Sequence, residues 1–168
     1  MRDPTETDRI ISSLQRNGWA AVKWAGQPEY VKAAIRKSGY RPMVKQCYSN
    51  AQRLIMTEHK HGVAFKYVEG IILSIIPIQH AWLQGPDGER VDVTLPDMPE
   101  VLVSYQIESE EVMIKLARTG HYGPVHENKL NGLQTACALG LRPTGKETDD
   151  ELLEMINGMY KRIGLAAA

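Results

Sequence analysis

The chain of 168 residues holds only two cysteines, Cys47 and Cys137, and one phenylalanine. Two cysteines are too few for the disulfide framework of a small secreted domain. Their surroundings are also unlike, so both are expected as free thiols. No block of five or six like charges occurs, and twenty basic residues cancel twenty acidic ones. Without a basic stripe there is no electrostatic footprint for nucleic acid or anionic lipid, and neither is expected as a partner. Long apolar runs are missing as well. The longest, Ile71 to Ile78, is interrupted by Ser74 and Pro77 and falls far short of the ~18 residues of a membrane span. Met1-Arg2-Asp3-Pro4 is polar and leads into a helix pattern rather than a signal peptide, so the expected address is cytoplasmic. No internal repeat is visible, and low complexity is confined to Ala166-Ala167-Ala168.

What remains is an ordinary globular balance, 43% hydrophobic and 24% charged, enough for one domain with a real core. Asp3-Pro4-Thr5-Glu6, followed by Ile10, Ile11 and Leu14, predicts a capped helix over about 4–17. A second helix runs from Pro28 to Ser38, with Val31, Ala34 and Ile35 on one face and Gly39 as its stop. Pro42 biases Arg41 away from helical angles, so a third helix begins after a loop, near Cys47, with Ala51, Leu54 and Ile55 inward. From Val63 to Ile78 the residues are β-branched and aromatic, and one long central strand is expected. Gly85-Pro86-Asp87-Gly88 is a turn that makes residues 80–84 and 90–94 an antiparallel hairpin. Helices follow from Ser109 to Arg118, ended by Gly120, and over 128–140. Thr148-Asp149-Asp150-Glu151 is a capping box for a last amphipathic helix. Helices, then an antiparallel sheet, then helices reads as α+β.

The chemistry concentrates on three residues. Cys47 has Lys45, Gln46, Ser49 and Asn50 around it, whereas a packing cysteine is normally set among apolar neighbours. A helix start favours the thiolate through its unpaired N–H groups and dipole, and an imidazolium alongside favours it further. His80 opens one strand of the expected hairpin and Asp92 lies on the other, within cross-strand reach. Nucleophile, base and orienting carboxylate would form a triad. The Cys47 N–H and the Gln46 side chain are candidate oxyanion donors. Asn50, one turn along, is a candidate to orient thiol or substrate, and Trp82 beside His80 is a further contact candidate. Each residue also has a plain structural reading: Cys47 half-buried filler, Trp82 core or a lid over the histidine, Cys137 core. Glu69 is read as a solvated edge residue or a buried partner of Arg53 or Lys66, with a catalytic acid role third. Tyr48 and Tyr67 are read as buried rings with bonded hydroxyls. His59-Lys60-His61 lacks the spacing of a zinc site and reads as an exposed loop; no metal or cofactor is expected. His121-Tyr122-Gly123-Pro124 is a loop that could fold over a cleft, and Gly85 and Gly88 form no phosphate cradle because no helix follows them.

Four short runs, Cys47-Tyr48-x-Asn50-Ala51, Tyr67-Val68-Glu69-Gly70, His80-Ala81-Trp82 and Val91-Asp92-x-Thr94, carry a resemblance. Together they resemble a group of small uncharacterised phage and bacterial proteins. The Cys, His, Asp order of that group is similar to the transglutaminase-like and papain-like cysteine hydrolase superfamily. The resemblance covers about residues 40–125. It implies a catalytic-type core in a single domain, with 1–39 and 126–168 as helical flanks. It also implies a Cys47–His80–Asp92 triad, with the cysteine helix packed on the sheet that carries the other two. The implied activity is hydrolysis or acyl transfer at an amide or isopeptide-like bond of a protein or peptide-like substrate. A different class of function also fits: a non-catalytic, phage-encoded binding protein or inhibitor of a host protein on the same scaffold.

Overall fold

The computed structural model describes residues 28–59, 65–95 and 100–164. The helix expected over 4–17 lies outside them, and so does most of His59-Lys60-His61. The first described helix, α1, spans Glu29–Ser38 and ends at Gly39, whose φ of 63° places it in the left-handed region while its N–H returns to the Arg36 carbonyl. Helix α2 spans Cys47–His59. Ahead of it Lys45 has φ 65°, and no other side-chain-bearing residue among those described has positive φ. That conformation costs about 1–2 kcal/mol for an L-residue. It turns the chain so that the helix opens on the cysteine.

Four strands follow: β1 (Lys66–Leu73), β2 (Pro77–Gln84), β3 (Arg90–Val91) and β4 (Val101–Ile107). They form one antiparallel sheet in the order β3-β2-β1-β4. Helices α3 (Ser109–Thr119), α4 (Glu127–Ala138) and α5 (Asp149–Arg162) complete the described α+β chain. Being central, β1 is buried at every position from Tyr67 to Ile72. On one face Tyr67, Ala81, Leu83 and Ile107 pack with Leu54 and Ile55 of α2 and Val31 of α1. Ile71 and Val103 extend that layer to Leu130 and Leu133 of α4 and Leu152 of α5. Val68, Ile72 and Trp82 form a separate cluster. The capping box at Thr148 is present, with reciprocal bonds between Thr148 and Glu151.

Two sheet expectations need correction. Val63 to Ile78 is not one strand: β1 ends at Leu73, the chain reverses over 74–76, and Pro77 begins the return strand. Ser74 N–H donates to the Ile76 carbonyl at 3.2 Å, and Ile75 and Ile76 are 97% and 63% exposed. Apolar content hid the reversal, because the tip carries isoleucines instead of the Gly, Asn or Asp that usually mark a hairpin. Proline is at home as the first residue of a strand. The second correction concerns residues 90–94. The Gly85–Gly88 turn forms, with Gly85 N–H on the Glu89 carbonyl at 2.8 Å, but β2 pairs with β3 over only Leu83↔Val91 and Gln84↔Arg90. Beyond Val91 the chain leaves the ladder, because the Asp92 side chain captures the N–H groups of Thr94 and Leu95.

Candidate active site

Cys47 occupies the first position of α2, with Gln46 as the residue before it: the Gln46 carbonyl accepts the Asn50 N–H at 2.8 Å. The thiol therefore sits where unpaired backbone donors and the positive end of the helix dipole converge. Cys47 is half-buried and free. The Gln46 side chain is half-buried and makes no hydrogen bond to the described residues.

His80 and Asp92 are nearly inaccessible, at 3% and 6% exposure. The pair is close, with His80 Nε2 2.6 Å from Asp92 Oδ2. The other Asp92 oxygen accepts the N–H groups of Thr94 at 2.7 Å and Leu95 at 2.9 Å, which fixes the carboxylate as an Asx turn. Cys47 stands near enough to His80 to act on its protonation. With Nε2 committed to Asp92, Nδ1 is the ring nitrogen left for the thiol. Burial by itself would lower the His80 pKa, but the hydrogen bonds and charges of Asp92 and Cys47 outweigh it and push the value up to about 9. The surroundings thus favour the imidazolium. The structure brings the three residues together, Cys47 from α2, His80 from β2 and Asp92 from the turn after β3.

Two further candidates stand in other roles. Asn50 is fully buried and its amide is saturated. Oδ1 accepts the Tyr40 hydroxyl at 2.8 Å and the Met43 N–H at 3.1 Å, while Nδ2 donates to the Met43 carbonyl at 2.7 Å and Thr94 Oγ1 at 2.8 Å. It has no group to offer a substrate. Instead it joins the cysteine helix to the residue whose N–H caps Asp92, and so sets the distance between thiol and carboxylate. Trp82 is 4% exposed, and its ring stacks on His80 with centroids 6.0 Å apart and an interplanar angle of 22°. Alternation along β2 puts both rings on one side. Trp82 backs the histidine rather than facing a substrate. A cavity of about 370 Å³ lies behind this strand, lined by Val68, Trp82, Arg90 and Gln106 and by neither Cys47 nor His80.

Glu69 is fully buried, and its partners are not Arg53 or Lys66. Oε1 accepts the Tyr67 hydroxyl at 3.0 Å and the Val125 N–H at 2.7 Å, and Oε2 accepts the Tyr105 hydroxyl at 3.0 Å. Burial raises its pKa and these donors oppose the rise. The carboxylate fastens the segment before α4 to the central strand. Gln52, to which the sequence alone assigns no role, joins this network by donating to the Tyr67 hydroxyl at 2.9 Å and the Gly123 carbonyl at 2.6 Å. A signal for it exists: Gln52 is a polar residue between the apolar positions Ala51 and Leu54, where burial demands partners. Tyr48, beside the thiol, has its pKa raised first by burial and then by the charge of Cys47.

Among the described residues, no group of three or more His, Cys, Asp or Glu side chains is arranged to hold a metal ion. No helix among them is long and apolar enough to cross a membrane. No protein-family model, curated protein or solved structure matches the chain.

Proposed function

We propose that the protein is a cysteine-nucleophile hydrolase or acyl-transfer enzyme acting on an amide or isopeptide-like bond, built on a papain-like or transglutaminase-like core. One observation carries the reading. A buried histidine is hydrogen-bonded to an orienting carboxylate and lies within the influence of a helix-opening thiol, which suits the roles of base, orienter and nucleophile. In the first half-reaction the Cys47 sulfur attacks the substrate carbonyl carbon and a C–S bond forms. The resulting oxyanion meets the Cys47 N–H and the Gln46 amide. The His80 imidazolium then gives its proton to the leaving nitrogen as the C–N bond breaks, leaving a thioester. In the second half-reaction neutral His80 takes a proton from water, or from an acceptor amine, as it attacks the thioester, and Cys47 leaves as thiolate. A protein or peptide-like substrate, a host protein among them, suits an amide-directed site.

Alkylation tests this without a known substrate. Iodoacetamide at pH 6 should label Cys47 at least about tenfold faster than Cys137, as expected for a thiolate held by a helix start and an imidazolium. Burial pushes the Cys137 thiol up. His80→Ala should remove most of the difference. Equal, slow labelling of both cysteines would overturn the enzymatic reading. It would leave a non-catalytic binding protein or inhibitor on the same scaffold, the reading that the near-complete burial of His80 and Asp92 favours.

A further inference from the structure

We propose that the groove between the end of α1 and the middle of α2 is a binding site for a phosphate group, centred on Arg53. The Arg53 guanidinium is held between two rings, its carbon 4.6 Å from the Tyr40 centroid and 4.5 Å from that of Tyr122. Its Nε donates to Ser49 Oγ at 3.3 Å. The clamp is itself fixed. Tyr40 is anchored by its hydroxyl on Asn50 Oδ1 at 2.8 Å. The loop bearing Tyr122 is anchored at the Gly123 carbonyl, which accepts Gln52 Nε2 at 2.6 Å and Lys115 Nζ at 3.1 Å.

Among the described residues this ordered cation has no counter-charge. No ion pair among the described residues involves Arg53, and its two terminal nitrogens have no hydrogen-bond partner among them. The groove it lines has a volume of about 290 Å³ and is completed by Lys37, Ser38, Met56 and Thr57, with no acidic side chain among the described lining residues. A stacked guanidinium has already given up most of its rotamer freedom, so binding an anion costs little further entropy. Its fork presents two parallel N–H donors to one tetrahedral oxyanion, and Lys37 adds a second, point-like charge. Two cations with no acid among the described lining residues match a phosphate dianion better than a single carboxylate. The groove falls at the small end of ligand pockets, about 300–1,000 Å³, which suits a phosphate group rather than a whole nucleotide.

Arg53 lies six residues beyond Cys47, about 9 Å along the helix axis, so the site stands apart from the cysteine chemistry and does not depend on it. The phosphate can come from a free small molecule or from a phosphorylated side chain on a peptide. Isothermal titration of the full chain at constant ionic strength distinguishes these, with three probes: inorganic phosphate, a phosphoserine peptide and the same peptide unphosphorylated. Saturable one-to-one binding of phosphate or phosphopeptide is expected, and none of the plain peptide. Tighter binding of the phosphopeptide would assign the phosphate to a protein, and equal binding would assign it to a small molecule. Arg53→Lys, which keeps the charge but loses the fork, should weaken binding about tenfold or more, and Arg53→Gln should abolish it. Lys37→Gln, at an exposed helix end, should weaken it without affecting folding, and so decides the matter if the Arg53 variants misfold. Absence of saturable binding to the wild-type chain, or unchanged affinity in Lys37→Gln and in every Arg53 variant that folds, would overturn the proposal.

Discussion

Replacing Asp92 by asparagine probes the candidate site with little change of shape. The amide oxygen of the Asp92→Asn variant can keep the N–H groups of Thr94 and Leu95 that Asp92 Oδ1 now accepts, so the turn should survive. The amide nitrogen replacing Oδ2 then points a donor at His80 Nε2, which must accept, and the ring proton moves to Nδ1, on the Cys47 side. Burial, the largest influence on His80, would be opposed only by Cys47, and the ring would become neutral at pH 7. In the wild-type protein the rise from the ordinary 6.5 to about 9 corresponds to about 3 kcal/mol of native-state preference for the imidazolium, at ~1.4 kcal/mol per pH unit. Because the folded pKa is the higher one, that stability is fully present below about pH 6.5 and is lost as pH rises through about 9. Urea unfolding of wild type should therefore weaken by up to about 3 kcal/mol across this window, and Asp92→Asn should lack most of that fall. Imidazole NMR should show His80 titrating near 9 in wild type and well below it in the variant. Any amidase or transferase activity should drop about 10⁴-fold, the cost of the corresponding tautomer error in a serine triad. Identical pH slopes in both proteins, or a wild-type His80 that titrates at 6.5 or below, would refute the reasoning.

Three further perturbations test the frame around the site. Glu69→Gln turns an amide nitrogen toward donors that now share a carboxylate, and should cost about 1–3 kcal/mol in chemical unfolding; an unchanged midpoint would mean that the network relaxes freely. Gly70 lies opposite His80 on one side and Ser104 on the other, and a Cβ there would run into the Val103 carbonyl oxygen and the Ser104 backbone. Gly70→Ala should therefore destabilise by about 1–3 kcal/mol and shift the His80 resonances, whereas a silent substitution would place β4 farther from β1. Thr148→Ala removes the side-chain acceptor of the α5 capping box and should lower stability by about 1 kcal/mol, without altering Cys47 alkylation.

Local signals were legible where a single residue dictates backbone geometry. Gly39 and Gly120 stop their helices in the left-handed conformation, Thr148 and Glu151 cap α5, and Gly85 to Gly88 turn the chain. The start of α2 at Cys47 could be read from Pro42 and the apolar stripe behind it, although the left-handed Lys45 that sets the turn carries no compositional warning. The reversal at 74–76 was illegible for the opposite reason: apolar residues continue through the tip, and only the alternative of a sixteen-residue strand argued against reading straight on. The partners of Glu69 are hard to read because, Tyr67 apart, they are distant in the chain. Tyr105 and Val125, 36 and 56 positions away, arrive through β4 and the loop before α4.

Asn50 shows how far such misreading bears on the site. Its place one turn after the cysteine suggested a group aimed at substrate, and helix periodicity does put it near the thiol. Burial changes what that proximity means. A fully buried amide must bond all its donors and acceptors inside the protein, and Asn50 does so with Tyr40, Met43 and Thr94. Through Tyr40 it touches the Arg53 clamp, and through Thr94 the turn that holds Asp92. One side chain thus fixes the cysteine helix against both regions. The precision of the His80–Asp92 contact rests on a residue that hydrogen-bonds neither of them.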